Sequence, residues 1–232
     1  MTDGRNNVTA YTWSAAGQLE TIKNPLGQLK KFEYTLLGQV KKVTKPDGKV
    51  IDYQYDAFNR LETIQYPDDT SVKYQYDNFN RKIRMEDKNG VTRYDYDKLG
   101  RLTYTANAAE EEVIYEYDEK GRKSKVIYPD KKYVTYGYDD HDRLVSIIDR
   151  EERETKYTYD KVGRKETVTR PNGITTTYGY DKASRVESIV STKADGTVVE
   201  KFTYRYDGAG NKKLEEIWKE DKHYRRDYTY YK

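Results

Sequence analysis

The sequence predicts an all-β fold, an antiparallel meander of β-hairpin repeats that forms one long, curled sheet. A Tyr-x-Tyr-Asp element recurs along most of the 232 residues, and 26 of those residues are tyrosine. Composition is the third observation: 35% of the residues are hydrophobic and 36% are charged, which excludes a thick apolar core. Tyrosine has an apolar ring and a polar tip, so it suits a surface that is half buried and half wet.

The recurring element divides the chain into repeats. Its Asp stands at Asp56, Asp77, Asp97, Asp118, Asp139, Asp160, Asp181 and Asp207. The spacing is 21 residues, with one step of 20, as far as Asp181, and it lengthens to 26 after that. The same register extends backward to Trp13 and Tyr34, and forward to Tyr228, Tyr230 and Tyr231. Residues 1–232 are therefore predicted to form a single array of about eleven repeats.

The residues before each Asp predict a β-strand. Ile51, Tyr53 and Tyr55 alternate with polar neighbours, so one face of this strand is aromatic. A helix is disfavoured because two tyrosines at positions i and i+2 cannot share a helical face. The predicted structural ladder of tyrosines consists of Tyr53, Tyr55, Tyr74, Tyr76, Tyr94, Tyr96, Tyr115, Tyr117, Tyr136, Tyr138, Tyr157, Tyr159, Tyr178, Tyr180, Tyr204 and Tyr206.

The residues after each Asp predict a turn. The Asp side chain is suited to accept a hydrogen bond from the amide two residues on, which starts a type I turn. Three residues beyond the Asp slot, nine of ten positions are Gly, Asn or Asp, the types that adopt a left-handed φ at low cost. These predicted turn residues are Gly100, Gly121, Gly163 and Gly210, with Gly17, Gly38, Asn59, Asn80, Asp142 and Ser184 in the equivalent places.

A second strand follows each of these turns and leads to another turn, as at Pro46-Asp47-Gly48, so each repeat is predicted to be part of a hairpin meander. Apolar residues on this strand are three apart, as Leu61 and Ile64 are, which cannot keep both on one face of a regular strand. Either a β-bulge shifts the alternation or one side chain lies on the other side. The sequence leaves both alternatives open.

One repeat buries too little apolar surface to be stable alone, so neighbouring repeats must complete its interior. Residues 182–232 depart from the regular period, with a longer hairpin at 191–196 and a charged segment at 218–223. Insertions in repeat arrays can also mark binding loops, but irregular terminal repeats typically cap the array and protect its edge strand. Residues 182–232 are accordingly predicted to be irregular, capping repeats.

Composition and charge argue against several functions. The formal net charge is +3, from 43 Lys and Arg against 40 Asp and Glu, which predicts neither a nucleic-acid partner nor membrane insertion. The absence of Cys excludes disulfides, thiolate nucleophiles and Cys-bound metals. Two histidines, His141 and His223, stand far apart with no companion ligands nearby. We therefore expect no catalytic residue, metal site or cofactor, and a non-enzymatic protein.

Two recurring features allow a binding role beside a structural one. An Arg stands four residues beyond the Asp, at Arg60, Arg81, Arg101, Arg122, Arg143, Arg164 and Arg185. These arginines could form a basic stripe, but pairing with the Asp of the same turn is the favoured interpretation. The tyrosine ladder could likewise be a platform for sugar rings, although known platforms of that kind rely more on Trp, of which this chain has two.

The recurring segments resemble the YD repeat of the Rhs family, as in Tyr-Gln-Tyr-Asp-Ala-Phe-Asn-Arg-Leu at 53–61 and Tyr-Thr-Tyr-Asp-Lys-Val-Gly-Arg at 157–164. The resemblance extends from about Tyr11 to Tyr231. Related repeats occur in bacterial Rhs polymorphic toxins, wall-associated proteins, the cocoon subunits of insecticidal toxin complexes, and teneurins. The resemblance implies a sheet that spirals into a hollow shell, which in the toxins encloses a C-terminal effector.

The resemblance also implies a function. We expect a structural module of a shell that encapsulates or displays a toxin or effector polypeptide, with neighbouring repeats of a larger shell as further partners. A carbohydrate-binding surface module is the alternative, and a homodimer and a glycan ligand stay open. No Asp-Pro bond of the self-cleaving kind is present, so we expect shell wall without cargo unless the chain is part of something larger. No export signal is evident, and the family implies a secreted or cell-surface location.

Overall fold

The computed structural model describes residues 1–4, 7–219 and 222–230, in which 21 β-strands and no helix are found. The strands are β1 Ala10–Trp13, β2 Leu19–Lys23, β3 Leu29–Tyr34, β4 Val40–Thr44, β5 Val50–Tyr55, β6 Leu61–Gln65, β7 Ser71–Tyr76, β8 Lys82–Asp87, β9 Gly90–Tyr96, β10 Leu102–Ala106, β11 Glu112–Tyr117, β12 Lys123–Ile127, β13 Tyr133–Tyr138, β14 Leu144–Ile148, β15 Glu154–Tyr159, β16 Lys165–Thr169, β17 Thr175–Tyr180, β18 Val186–Thr192, β19 Val198–Tyr206, β20 Lys212–Lys219 and β21 Lys222–Asp227. Within these described ranges, nothing forms a helix that could cross a bilayer.

The chain divides into two compact units, Met1–Ile114 and Tyr115–Lys232, with the boundary inside β11. In unit 1 each strand from β1 to β10 pairs antiparallel with the next strand in the chain. In unit 2 the strands from β12 to β21 do the same. The predicted fold class, an all-β antiparallel meander of hairpins, is confirmed.

A β-bulge explains the apolar spacing of three that the sequence left open. Between β5 and β6, Tyr55 lies opposite Leu61 and Tyr53 lies opposite Ile64, so Glu62 is an extra residue in its strand. Leu61 and Ile64 therefore share one face with the two tyrosines. The same shift recurs in both units, between β3 and β4, β7 and β8, β13 and β14, β15 and β16, β17 and β18, and β19 and β20. We call the side that carries these tyrosines the aromatic face.

The turns after the Asp slots contain a left-handed residue. The φ angle is positive at all ten positions, and it is near 60° at Asn59, Asn80, Asp142 and Ser184. The turns at the opposite ends of the strands have one too, for example Gly48 and Gly173. Because strands in a meander alternate in direction, all the Asp turns lie along one edge of the sheet within each unit.

The apolar interior is shallow. Among the described residues, only Val43, Ala106, Val126, Val168 and Leu214 are buried hydrophobic side chains. The tyrosines of the aromatic face are half-buried. Their rings are thus part of the apolar surface that each repeat shields, in agreement with the low hydrophobic content.

The last repeats are longer than the others, since β18, β19 and β20 contain seven, nine and eight residues. Strand β21 ends at Asp227, before Tyr228 and Tyr230, and the predicted Asp slot at Tyr231 lies outside the described residues. Residues 220 and 221 of the predicted charged segment also lie outside them. The capping role of 182–232 stays a prediction.

The left-handed turn positions predict the effect of a glycine. Ser184 has a φ of 62°. Since a left-handed conformation costs a residue with a side chain more than it costs Gly, we expect Ser184→Gly to raise the free energy of unfolding by about 1 kcal/mol. Urea denaturation followed by circular dichroism measures this. Ala183→Gly, in the same turn but without a positive φ, is the control and should lower stability; a gain in both variants would contradict the explanation.

Candidate functional site

The Asp that follows each tyrosine-bearing strand stabilises its turn through side-chain hydrogen bonds. In the turn after β5, one carboxylate oxygen of Asp56 accepts hydrogen bonds from the backbone N–H groups of Phe58 and Arg60, both at 2.9 Å. The other oxygen accepts a bond of 2.7 Å from the Arg60 Nε. Partial burial tends to raise the pKa of Asp56, but these bonds from Arg60 and Phe58 lower it below its ordinary value.

The same arrangement recurs along the Asp edge of each unit. An Arg Nε to Asp distance of 2.6 to 2.7 Å is found for Arg81, Arg101, Arg122, Arg143, Arg164 and Arg185. At Asp139 the side-chain bond from Arg143 is the largest influence and holds the pKa down to about 2. The last Asp turn differs, because Asn211 takes the Arg position and bonds Asp207 through its side-chain amide at 3.1 Å.

Within each unit the Arg side chains also reach the following repeat, as shown by Arg60, Arg81, Arg122, Arg143, Arg164 and Arg185. The Arg60 guanidinium lies over the ring of Tyr76, with its carbon 4.8 Å from the ring centroid, and donates to the backbone carbonyl of Asp77 at 2.9 Å. Arg122 makes the same two contacts, with Tyr138 at 4.6 Å and the Asp139 carbonyl at 3.2 Å. The Arg therefore joins one Asp turn to the next as well as closing its own.

Within each unit the second tyrosine of a pair donates a hydrogen bond to the preceding repeat. The Tyr55 hydroxyl donates to the backbone carbonyl of Val40 at 2.8 Å. The same bond, 2.7 to 2.9 Å long, is donated by Tyr34, Tyr76, Tyr96, Tyr138, Tyr159, Tyr180 and Tyr206 to carbonyls 14 to 20 residues earlier. Partial burial raises the pKa of several of these phenols, including Tyr159. The accepting carbonyl belongs to the residue beside the bulge.

First tyrosines of the pairs line shallow depressions on the aromatic face. In unit 2 a depression of about 770 Å³ is bordered by Tyr157, Tyr178, Lys165 and Arg170, and Val168, only 7% exposed, lies at its base. In unit 1 an equivalent depression of about 400 Å³ lies over Val43 and is bordered by Phe32, Tyr53, Tyr55 and Lys30 among others. Burial raises the pKa of the first-position phenols Tyr74, Tyr94, Tyr136 and Tyr204.

The two histidines stand apart from these depressions. His141 lies in an Asp turn, is exposed, and donates its backbone N–H to Asp139 at 2.9 Å. His223 stacks on Trp218 with ring centroids 4.6 Å apart, and its Nε2 lies 3.5 Å from Glu216. Within the described ranges, no three His, Cys, Asp or Glu side chains are grouped as a metal site would require.

Sequence reasoning missed the bonds between repeats. It assigned the Arg to its own turn and treated the two tyrosines of a pair alike. A signal was present: Phe32 occupies a first position, whereas the second position is Tyr in every copy from Tyr34 to Tyr206. A hydroxyl group that is never replaced by hydrogen indicates a hydrogen bond.

This difference between the two positions predicts unequal effects of removing a hydroxyl. Tyr159→Phe leaves the Leu144 carbonyl without its donor, and we expect a loss of about 1 kcal/mol in unfolding free energy. Tyr157→Phe, at the first position where Phe32 is native, should change stability little. Chemical denaturation of both variants decides the matter, and equal losses would show that the hydroxyl bond between repeats is unimportant.

The Asp turns predict a loss of stability in acid. The pKa of Asp139 is about 2 in the folded protein, whereas an unfolded Asp titrates near ~3.9. A lowered folded pKa contributes stability that is fully present above the unfolded value and is lost as the pH falls through the folded value. We expect the urea midpoint to fall between about pH 4 and pH 2, and to fall less in Asp139→Asn, which has one titrating carboxylate fewer. Identical pH slopes in the two proteins would contradict this.

Comparison with known proteins agrees with the repeat geometry. The RHS Repeat sequence model matches residues 34–71 and 138–175, and the Teneurin YD-shell model matches residues 70–149. These ranges together cover residues 34–175, more than half of the chain. No curated protein gives a significant sequence match.

Solved structures show the same fold. The crystal structure of TcdB2-TccC3-TEV matches with a TM-score of 0.76 and 16% identity over 91% of this chain and 12% of that chain. The crystal structure of TcdB2-TccC3 matches with a TM-score of 0.69 and 16% identity over 91% of this chain and 14% of that chain. The protein thus spans only a small part of the chains that it resembles. The recurring Asp turns, the tyrosine pairs and the two sequence models together establish that the chain belongs to the YD-repeat (Rhs-repeat) family.

Proposed function

We propose that the protein is a non-enzymatic structural module, a segment of a β-sheet shell that surrounds or displays a polypeptide. One observation carries this proposal. The bonds that join successive repeats lie along the Asp edge and at the second tyrosines, so the first tyrosines remain available on the aromatic face. A wall needs strong bonds along the sheet and a continuous, weakly adhesive surface facing its contents.

The likeness to much longer chains supports a role as part of a wall. The matched regions are 12% to 14% of the TcdB2-TccC3 chains, so this chain corresponds in length to one section of such a structure. Neighbouring repeats of a larger shell would then be its first partners. The same family relationship supports a secreted or cell-surface location and a polypeptide as the enclosed partner.

The use of the polar groups supports a non-enzymatic role. In each regular Asp turn the carboxylate accepts bonds from backbone amides and from an Arg, so it is occupied by the fold. Repetition places the same groups at intervals along an edge, whereas catalysis requires different groups that converge on one point. The structural family agrees with this interpretation.

A carbohydrate-binding module is the second candidate. The depression between Tyr157 and Tyr178 favours it, because two half-exposed rings with nearby cations and hydroxyls can hold a sugar. Pairing of two aromatic faces in a homodimer is a further way to cover the same surface. Light scattering of the purified chain distinguishes the dimer from a monomer.

Mutation of the first tyrosines tests the two candidates. We expect Tyr115→Ser with Tyr136→Ser to weaken binding of a neutral, permanently unfolded polypeptide several-fold and to lower unfolding free energy by ~2 kcal/mol or more, because each ring packs against its neighbours. Fluorescence anisotropy measures the binding, and a glycan array on the same two proteins measures the alternative.

The matched control is Tyr133→Ser, which removes an exposed tyrosine from the opposite face of the strand that carries Tyr136. Glycan binding that disappears in the ladder variant while its fold survives would support the carbohydrate role and contradict the shell proposal. A ladder variant that binds polypeptide as well as the unaltered protein does would also contradict it.

A further inference from the structure

Lysines occupy alternate repeats on the aromatic face. The residue that follows the Arg in each repeat lies opposite the second tyrosine, as Leu61 lies opposite Tyr55 and Lys165 opposite Tyr159. From the third repeat onward this position alternates between aliphatic residues and lysine. The series is Leu61, Lys82, Leu102, Lys123, Leu144, Lys165, Val186 and Lys212.

In unit 2 these ammonium groups lie over the first tyrosines. The Lys123 Nζ is 4.9 Å from the ring centroid of Tyr115. The Lys165 Nζ is between two rings, 5.6 Å from the centroid of Tyr157 and 6.0 Å from that of Tyr178. In unit 1, Lys82 makes the equivalent contact with Tyr74 at 4.2 Å. A cation over an aromatic ring is held without being neutralised.

In the part of the chain that the structure describes, three of these lysines have no carboxylate partner. No acidic oxygen of the described residues lies within ion-pair distance of Lys82, Lys123 or Lys165. Asp149, at the border of the large depression, is bonded by Arg153 at 2.9 Å. Lys212 is the exception in the series, because its Nζ bonds Glu215 at 3.3 Å. The aromatic face therefore has an excess of positive charge although the whole chain is close to neutral.

We propose that the aromatic face binds extended polypeptide segments that carry sparse acidic side chains among apolar ones. This inference rests on the proposed shell function and names the chemistry of its polypeptide partner. Charge complementarity favours acidic residues in the partner, since each unpaired lysine offers an anion site beside aromatic rings. Leu144, on β14 between the two lysines of unit 2, and Val168, on the same strand as Lys165, supply apolar contacts.

Spacing favours a polypeptide over a nucleic acid. Lys123 and Lys165 lie on β12 and β16, four strands apart, which is about 19 Å at ~4.8 Å per strand. An extended chain covers that distance in about six residues at ~3.3 Å each. A nucleic acid has a phosphate on every nucleotide, so lysines this far apart would leave most of its charges unmatched.

Two synthetic peptides test the proposal. One contains Glu at every sixth position among Ser, Leu and Val, and the other contains Gln in place of each Glu. We expect the Glu peptide to bind the full chain more tightly in fluorescence anisotropy. Lys123→Leu and Lys165→Leu should each weaken that binding about two- to five-fold without affecting the Gln peptide. Leu144→Lys, which adds a cation in the same row, should strengthen it.

The chain offers matched controls. Leucine is native at this position in Leu61 and Leu144, so the two Lys→Leu variants should fold, and circular dichroism verifies this. Lys161→Leu removes the same charge from an exposed Asp turn and should leave peptide binding unchanged. An equal effect of Lys161→Leu would show that net charge alone is responsible and would overturn the inference.

The remaining outcomes separate this inference from the function on which it rests. Equal binding of the Glu and Gln peptides by the unaltered chain leaves a polypeptide-binding shell but overturns the acidic specificity. Failure of both peptides to bind overturns the inference and the polypeptide role together. Lysine-dependent binding of heparin or of a single-stranded oligonucleotide, without binding of the Glu peptide, assigns the face to another class of polymer and also overturns the inference.

Discussion

The structure depends on contacts that each repeat makes with its neighbours. A repeat of about twenty residues supplies two half-buried tyrosines, a few aliphatic side chains and an Asp turn, which is too little to offset the loss of conformational entropy. The Tyr55 hydroxyl bonds a carbonyl in the repeat before it, and Arg60 stacks on a ring in the repeat after it. Stability is accordingly a property of neighbouring pairs, as in other repeat proteins.

The bulge and the tyrosine hydroxyl act together, because the residue beside the bulge accepts the hydrogen bond from the hydroxyl. The extra residue, Glu62, brings the Leu61 side chain onto the aromatic face. It also places the Leu61 carbonyl where the Tyr76 hydroxyl donates a hydrogen bond to it at 2.8 Å. Without the bulge, Leu61 and Ile64 would lie on opposite faces and the carbonyl would point elsewhere. A local irregularity in the strand pairing thus creates the hydrogen bond that recurs between repeats.

The sequence was sufficient to predict the elements whose signals are local. Alternation around Tyr53 and Tyr55 indicated the strands, and the residue types at Asn59 and Gly163 indicated left-handed turns. It was insufficient where a contact joins residues about twenty positions apart. The distance from Arg60 to its own Asp56 is four residues, so that pairing could be anticipated, whereas the stacking of Arg60 on Tyr76 depends on how far one hairpin lies from the next. The alternatives of a bulge and a side chain on the other side stayed open for the same reason, since they depend on the register with the neighbouring strand.

A buried carboxylate holds the segment that follows the last Asp turn. Glu215 lies opposite Tyr204, in the position where Val168 lies opposite Tyr157, and it is only 8% exposed. A buried carboxylate requires partners, and Glu215 obtains them from Lys212, Arg226 and the Tyr228 hydroxyl. Two of these partners come after the last regular repeat, so the polar cluster can form only where the array changes character. A valine at this position would accept another regular repeat equally well on its far side, whereas the carboxylate specifies the segment that follows it.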